Sequence, residues 1–213
     1  MIMVSSMPKA LVYVEGATDV PVISAVMVAA GWEEEEYMVF HKKGGAEVKK
    51  ELRRQAHISS PIPRIFILDS DGKCPVDIRT SMLPEGSVEN VALRVCDTEI
   101  ESWLLADGAA FSRFFNIPLA KVESPDGYNA KERMLACVER YGRRNCQEFV
   151  RRPVKQGEGS AYRFGGRYRI ILEQFLQQEW NAERAAVCSD SLSRALQRLK
   201  ELHERAVSGE FAR

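Results

Sequence analysis

The sequence predicts an α/β protein built on a mostly parallel sheet flanked by helices, with a helical appendage towards the C-terminal end. Three observations carry this. Residues 11–14, 37–40 and 64–68 are short runs that are apolar but for Arg64, and such continuous apolar runs suit strands buried on both faces. Helical apolar spacing fills the stretches between them, which yields the β-α-β-α-β order of right-handed parallel crossovers. Beyond residue 118 the strand signals fade and helical spacing takes over.

Each element has a local justification. The first strand ends in Glu15-Gly16, and Thr18 is expected to cap a helix over 19–30 that has Pro21 in its first turn. Val22, Ile23, Val26 and Met27 recur at helical spacing and should face the sheet, and Gly31 ends the helix. The glutamate run 33–36 reads as a solvated turn. Residues 37–40 form the second strand, 46–58 the next helix, and Pro61 and Pro63 close that segment before the third strand at 64–68. Residues 91–95 supply a fourth strand. A helix over 98–115 follows, with Ile100, Trp103, Leu104, Phe111 and Phe114 on its apolar face. Further helices are expected over 130–141, 167–178 and 191–207, separated by a polar loop at 151–160. The expected organisation is a core over 1–117 and a helical extension over 118–213 packed on it.

Composition narrows the class. A chain of 213 residues with 45% hydrophobic residues can bury a real core. Formal net charge is zero, so any attraction to a polyanion must come from a local patch. The five cysteines are widely spaced with no C-x-x-C pair, which argues against a disulfide framework or a zinc site and fits a reducing cytoplasm. Only three histidines are present, and none are spaced as helix-borne ligands. Residues 1–8 show no signal-peptide pattern, and no apolar stretch is long enough to span a bilayer, so a soluble cytoplasmic protein is expected.

The chemistry concentrates where strands end. Residues beyond the carboxyl ends of parallel strands lie where open α/β folds place ligands. Glu15 and Asp19 follow the first strand, and Asp69 and Asp71 follow the third. Carboxylates gathered at one lip repel each other unless a cation joins them, and Mg²⁺ takes oxygen ligands from one or two carboxylates plus water and phosphate. Alternation along an extended Asp69-Ser70-Asp71 would put both acids on one face. The blander readings are a turn at 69–72, which Asp, Ser and Gly favour, and an early-helix acid at Asp19.

This pair of motifs, Glu15-Gly16-Ala17-Thr18-Asp19 and Asp69-Ser70-Asp71, resembles the Toprim domain of topoisomerases, bacterial primases and overcoming-lysogenization-defect nucleases. The resemblance implies a Toprim/Rossmann-like sheet and an Mg²⁺- or Mn²⁺-dependent enzyme acting on phosphodiester bonds. It implies a proton-transfer or metal role for Glu15, metal roles for Asp69 and Asp71, and a supporting one for Asp19. The segment Glu101-Ser102-Trp103-Leu104-Leu105-Ala106-Asp107 is similar to part of an uncharacterised Toprim-like family, as are residues 159–163 and 189–192. Glu101 follows the fourth strand and is a candidate further metal ligand, since two metal ions require more acids than one; its alternative is an early-helix charge, which is also the reading favoured for Glu99 and Asp107.

A local excess of base lies between Glu139 and Arg169, including Arg151, Arg152, Lys155, Arg163, Arg167 and Arg169, with Tyr162, Phe164 and Tyr168 interleaved around Gly165-Gly166. Arginines position phosphates, aromatics stack on bases, and glycine amides can approach phosphate. Lys42 and Lys43 are further phosphate contacts at the lip of the sheet. Alternatively, the segment is a solvated face and its aromatics are core. The functional expectation is a nuclease, a role against foreign DNA being implied by the resemblance alone, with nucleic acid as partner, DNA favoured over RNA, and a separate ATPase a candidate partner. The competing readings are a non-catalytic module binding nucleic acid or protein, and a phosphatase of haloacid-dehalogenase type. The latter is suggested by Asp69-Ser70-Asp71-Gly72, but it lacks the usual hydroxyl residue at Lys73 and a later paired-Asp motif.

Overall fold

The computed structural model describes residues 7–83, 86–152 and 162–212. The chain divides into two compact units, one formed by Met1–Cys96 with Ser193–Arg213 and the other by Asp97–Leu192. The expected boundary at residue 117 lies inside the second unit.

The first unit is an all-parallel α/β sheet. Its strands are β1 (Ala10–Val14), β2 (Tyr37–His41), β3 (Arg64–Asp69) and β4 (Val91–Cys96), in spatial order β2-β1-β3-β4. Val12 lies beside Val39 on one side and Ile65 on the other, and Leu68 lies beside Val95. The two central strands are the most continuously apolar, and they are buried along almost their whole length. That is what burial on both faces demands.

Helices α1 (Val20–Ala29), α2 (Gly45–Gln55) and α3 (Pro75–Met82) make the crossovers. The chain leaves β1 in one direction to form β2, then passes back over β1 to form β3. Right-handed crossovers therefore set α1 on one face and α2 and α3 on the other. On the latter face Tyr13, Val48, Leu52, Phe66, Leu68, Ile78 and Leu93 form one hydrophobic cluster. Tyr13 and Phe66 stack there, with centroids 4.7 Å apart. Helix α9 (Asp190–Val207) begins in the second unit and runs into the first, where the Trp32 indole donates to the Leu199 carbonyl at 3.1 Å.

Two local expectations are corrected. Thr18 does not cap α1: the N-cap residue is Asp19, and the Thr18 hydroxyl turns to the Asp19 carboxylate at 3.2 Å. Helix α3 has no counterpart among the expected elements. It is short, starts at a proline and buries only Ile78, so its periodic signal is slight.

The second unit is mostly helical. It holds α4 (Glu101–Ala106), α5 (Gly108–Phe115), α6 (Ala130–Tyr141), α7 (Tyr168–Gln178) and α8 (Ala182–Val187). A two-stranded antiparallel ribbon, β5 (Val150–Arg151) with β6 (Arg163–Phe164), also lies here, where no strand was expected. The helix expected over 98–115 is two helices. Asp107 breaks it and caps α5 by accepting from the Ala110 N–H at 3.3 Å. The same carboxylate is 4% exposed and accepts from the Asn181 N–H at 3.0 Å and from the Arg184 guanidinium. Phe111, Phe115 and Phe175 form the aromatic core of this unit. Among the described residues no helix is long and apolar enough to cross a membrane.

Candidate functional site

The strand order reverses between β1 and β3, and a crevice opens at the carboxyl ends of strands at such a switch point. Glu15 directly follows β1, and Asp69 ends β3. They meet there: Glu15 Oε1 accepts the Asp69 backbone N–H at 2.9 Å. The switch point and the acids thus coincide, although these two residues are 54 positions apart.

The start of α2 completes the surroundings of Glu15. The Gly44 N–H donates to the Glu15 carbonyl at 3.0 Å. A Cβ placed on Gly45 would stand 2.9 Å from both Glu15 carboxylate oxygens, so only glycine leaves the carboxylate where it is. Gly44 has φ +95°, which favours glycine for a separate reason. In the sequence Gly44-Gly45 directly follows Lys42-Lys43, at the lip of the sheet. The available signal was a glycine pair opening a helix, a poor helix start unless something must come close.

Glu15 is electrostatically unusual. Burial, first, pushes its carboxyl above the ordinary range, and the charges of Asp71 and Asp19 push the same way. The Asp69 N–H and, more weakly, Lys49 oppose them. Lys49 on α2 had not been singled out from the sequence.

The remaining acids differ in local geometry. Asp19 turns back on its own loop, with Oδ2 accepting the Gly16 N–H at 2.7 Å. Asp71 is not in an extended segment. It is exposed, with φ +48°, next to Gly72 at φ +76°, and the Lys73 N–H closes the turn onto the Ser70 carbonyl at 2.9 Å. The expectation that strand alternation aligns Asp69 with Asp71 is therefore replaced: the strand stops at Asp69, and a left-handed turn presents Asp71. Ser70 between them is 1% exposed, and among the described residues its hydroxyl has no hydrogen-bond partner.

Glu101 belongs to the second unit, where it opens α4 and is 5% exposed. Glu99 accepts the Lys131 N–H at 2.9 Å in the first turn of α6, a helix-capping role. Among the described residues no three His, Cys, Asp or Glu side chains are gathered as a metal-holding group. Mg²⁺ needs fewer, because water and phosphate supply the rest of its shell. Glu15 and Asp71, close enough for the charge of one to shift the other, fit that smaller requirement, and a cation would relieve the repulsion acting on Glu15.

The basic candidates separate as well. Lys42 lies over the Tyr13 ring at 5.1 Å and pairs with Glu51 at 3.7 Å. Arg167 pairs with Glu148 at 3.4 Å, and Arg169 with Glu173 at 2.8 Å. Lys43 and Arg163 are exposed. Tyr168 is a core residue, 3% exposed, and Phe164 stacks on it at 3.8 Å with the Lys131 ammonium 4.1 Å from the Phe164 centroid. These aromatics are packed rather than offered for base stacking. The Gly165 amide bonds to the Phe149 carbonyl at 2.9 Å, and a Cβ there would collide with the Glu148 carbonyl. Gly165 serves close backbone packing instead of holding phosphate. Lys155 and residues 159–161 lie outside the described residues.

The first unit is thus an all-parallel α/β sheet consistent with a Rossmann- or Toprim-like fold, with carboxylates at its switch point. Against known proteins, the chain matches no protein-family model, no curated protein and no solved structure.

Proposed function

We propose that this protein is a Toprim-like, Mg²⁺-dependent hydrolase of phosphodiester bonds, acting as a nuclease. The observation that carries the reading is the Glu15–Asp69 contact at the switch point, with Asp71 beside it in electrostatic reach. Asp71 and Glu15 would hold the cation, with water and phosphate completing its shell. When bound, Mg²⁺ supplies positive charge against a phosphate oxygen and lowers the pKa of a bound water.

The chain's own groups do the remaining work. The Asp69 N–H and the space left by Gly45 hold the Glu15 carboxylate in one orientation. Oε1 is engaged by that N–H, so Oε2 is the atom that takes or gives a proton. Burial raises its pKa, so the group holds a proton more readily than an exposed glutamate does. Lys43, exposed just beyond the carboxyl end of β2, would attract a polyanion to that edge of the sheet.

The test is cleavage of supercoiled plasmid, single-stranded DNA and RNA with Mg²⁺ or Mn²⁺, comparing wild type with Glu15→Gln and Asp71→Ala, alongside calorimetric titration of the metal. Metal-dependent cleavage that falls by roughly 10²–10⁴-fold in Glu15→Gln supports the reading. No cleavage of any substrate, with no heat of metal binding, replaces it with a non-catalytic binding module on the same scaffold.

A further inference from the structure

Strand β2 is an edge strand, and among the described residues nothing pairs with its outer side. Natural edges are usually blunted by a charged residue, a proline, a bulge or a covering element. Within Tyr37-Met38-Val39-Phe40-His41 there is no lysine, acid or proline. Met38 is 48% exposed and Phe40 36% exposed. They share one face by strand alternation, the face on which Phe40 stacks with Tyr13 at 5.4 Å.

The hydrogen-bonding groups of this edge can be assigned. Lys42 donates its N–H to the Val14 carbonyl at 2.9 Å, so alternation turns the backbone groups of Phe40 and Met38 towards β1. Those of Tyr37, Val39 and His41 turn outward. Charge is distributed unevenly about the strand. Glu33, Glu34 and Glu35 are exposed before it, and Lys43 is exposed after it.

We propose that this edge pairs with β2 of a second copy of the chain, antiparallel and centred on Val39, joining two four-stranded sheets into one. The two-fold axis sets Val39 against Val39, so that each donates an N–H to the other's carbonyl. Tyr37 faces His41, and both residues carry outward backbone groups. Met38 faces Phe40 at a position where side chains come closest, and sulfur–aromatic contact is favourable. Glu35 comes to the end that holds Lys43 of the other copy. A parallel arrangement would place acids beside acids and the two lysines together, so the charges select the antiparallel one. The resulting interface is isologous, the commonest form of homodimer.

The experiment is sedimentation velocity on the full chain over a range of concentrations. Wild type is expected to sediment as a dimer. Val39→Pro removes an outward N–H while leaving the ladder to β1, and should give a monomer with unchanged far-ultraviolet circular dichroism. Glu35→Lys alone should weaken dimerisation by roughly threefold to tenfold, because attraction becomes repulsion in two symmetric pairs. Adding Lys43→Glu to Glu35→Lys should restore it. A wild type that is monomeric throughout overturns the proposal. So does a dimer that Glu35→Lys leaves intact, or one that the double reversal fails to restore. None of these outcomes depends on catalysis.

Discussion

At Glu15 two consequences of one carboxylate can be separated. Its folded-state pKa is raised, chiefly by burial, so the folded protein holds that proton more tightly than the unfolded chain does. The charged form therefore works against folding at neutral pH, and this penalty disappears in acid, where the group is protonated in both states. Glu15→Gln, which still accepts the Asp69 N–H, should raise the melting temperature of the metal-free protein at neutral pH while abolishing the proposed cleavage. The gain should vanish on acidification; a thermal melt series with chelator present reads both. Glu36 has the opposite sign. Lys9 foremost, with the Glu33 N–H and His203 in support, holds its carboxyl below the ordinary range. Its contribution to stability is present above that range and is lost as pH falls through the lowered value. Lys9→Met should cost under about 1 kcal/mol at neutral pH. The difference from wild type in chemical denaturation should shrink towards zero in acid.

At the level of elements, two helix ends carry clear expectations. The first turn of α2 must leave room for the Glu15 carboxylate, and Gly45→Ala puts a methyl 2.9 Å from both of its oxygens. The carboxylate is the movable partner. The variant should fold with a stability change below about 1 kcal/mol, since alanine is the better helix former, yet lose most of the proposed cleavage activity. In the second unit, Asp107 serves the start of α5, the Asn181 N–H and the Arg184 guanidinium at once. Asp107→Ala leaves those donors without their acceptor. It should cost about 2–4 kcal/mol, combining a lost cap with a broken pair whose arginine is half exposed. Urea denaturation measures it. The helix break at Asp107 was hidden in the sequence, where apolar residues continue at helical spacing from Ile100 to Phe114. Periodicity reports which face is buried, and a cap within a run of correct spacing does not disturb it.

For the whole molecule, the sheet order organises both stability and site. Phe66 lies at the centre of β3, fully buried and stacked on Tyr13. Phe66→Ala removes contacts shared by strands and by α2 and α3 together, and should destabilise by about 3–5 kcal/mol, read as a shift of the denaturation midpoint. The same order puts β2 at an edge and the switch point between β1 and β3. The outer side of β2 and the carboxylates at the switch point are thus two consequences of one topology.

The sequence by itself determined the α/β class, the four parallel strands and the positions of Glu15, Asp19, Asp69 and Asp71 in the chain at or just beyond the ends of the first and third strands. These rest on apolar runs and on acids directly adjoining them, which are local features of the chain. Tertiary structure alone decided the strand order, the Glu15–Asp69 bond and the need for glycine at position 45. It also decided that Arg167 meets Glu148 and that Tyr168 is core. Each of these depends on which distant or neighbouring group occupies the space around a side chain. Packing settles that occupancy, and a periodic pattern in one segment carries no record of what another segment brings to it.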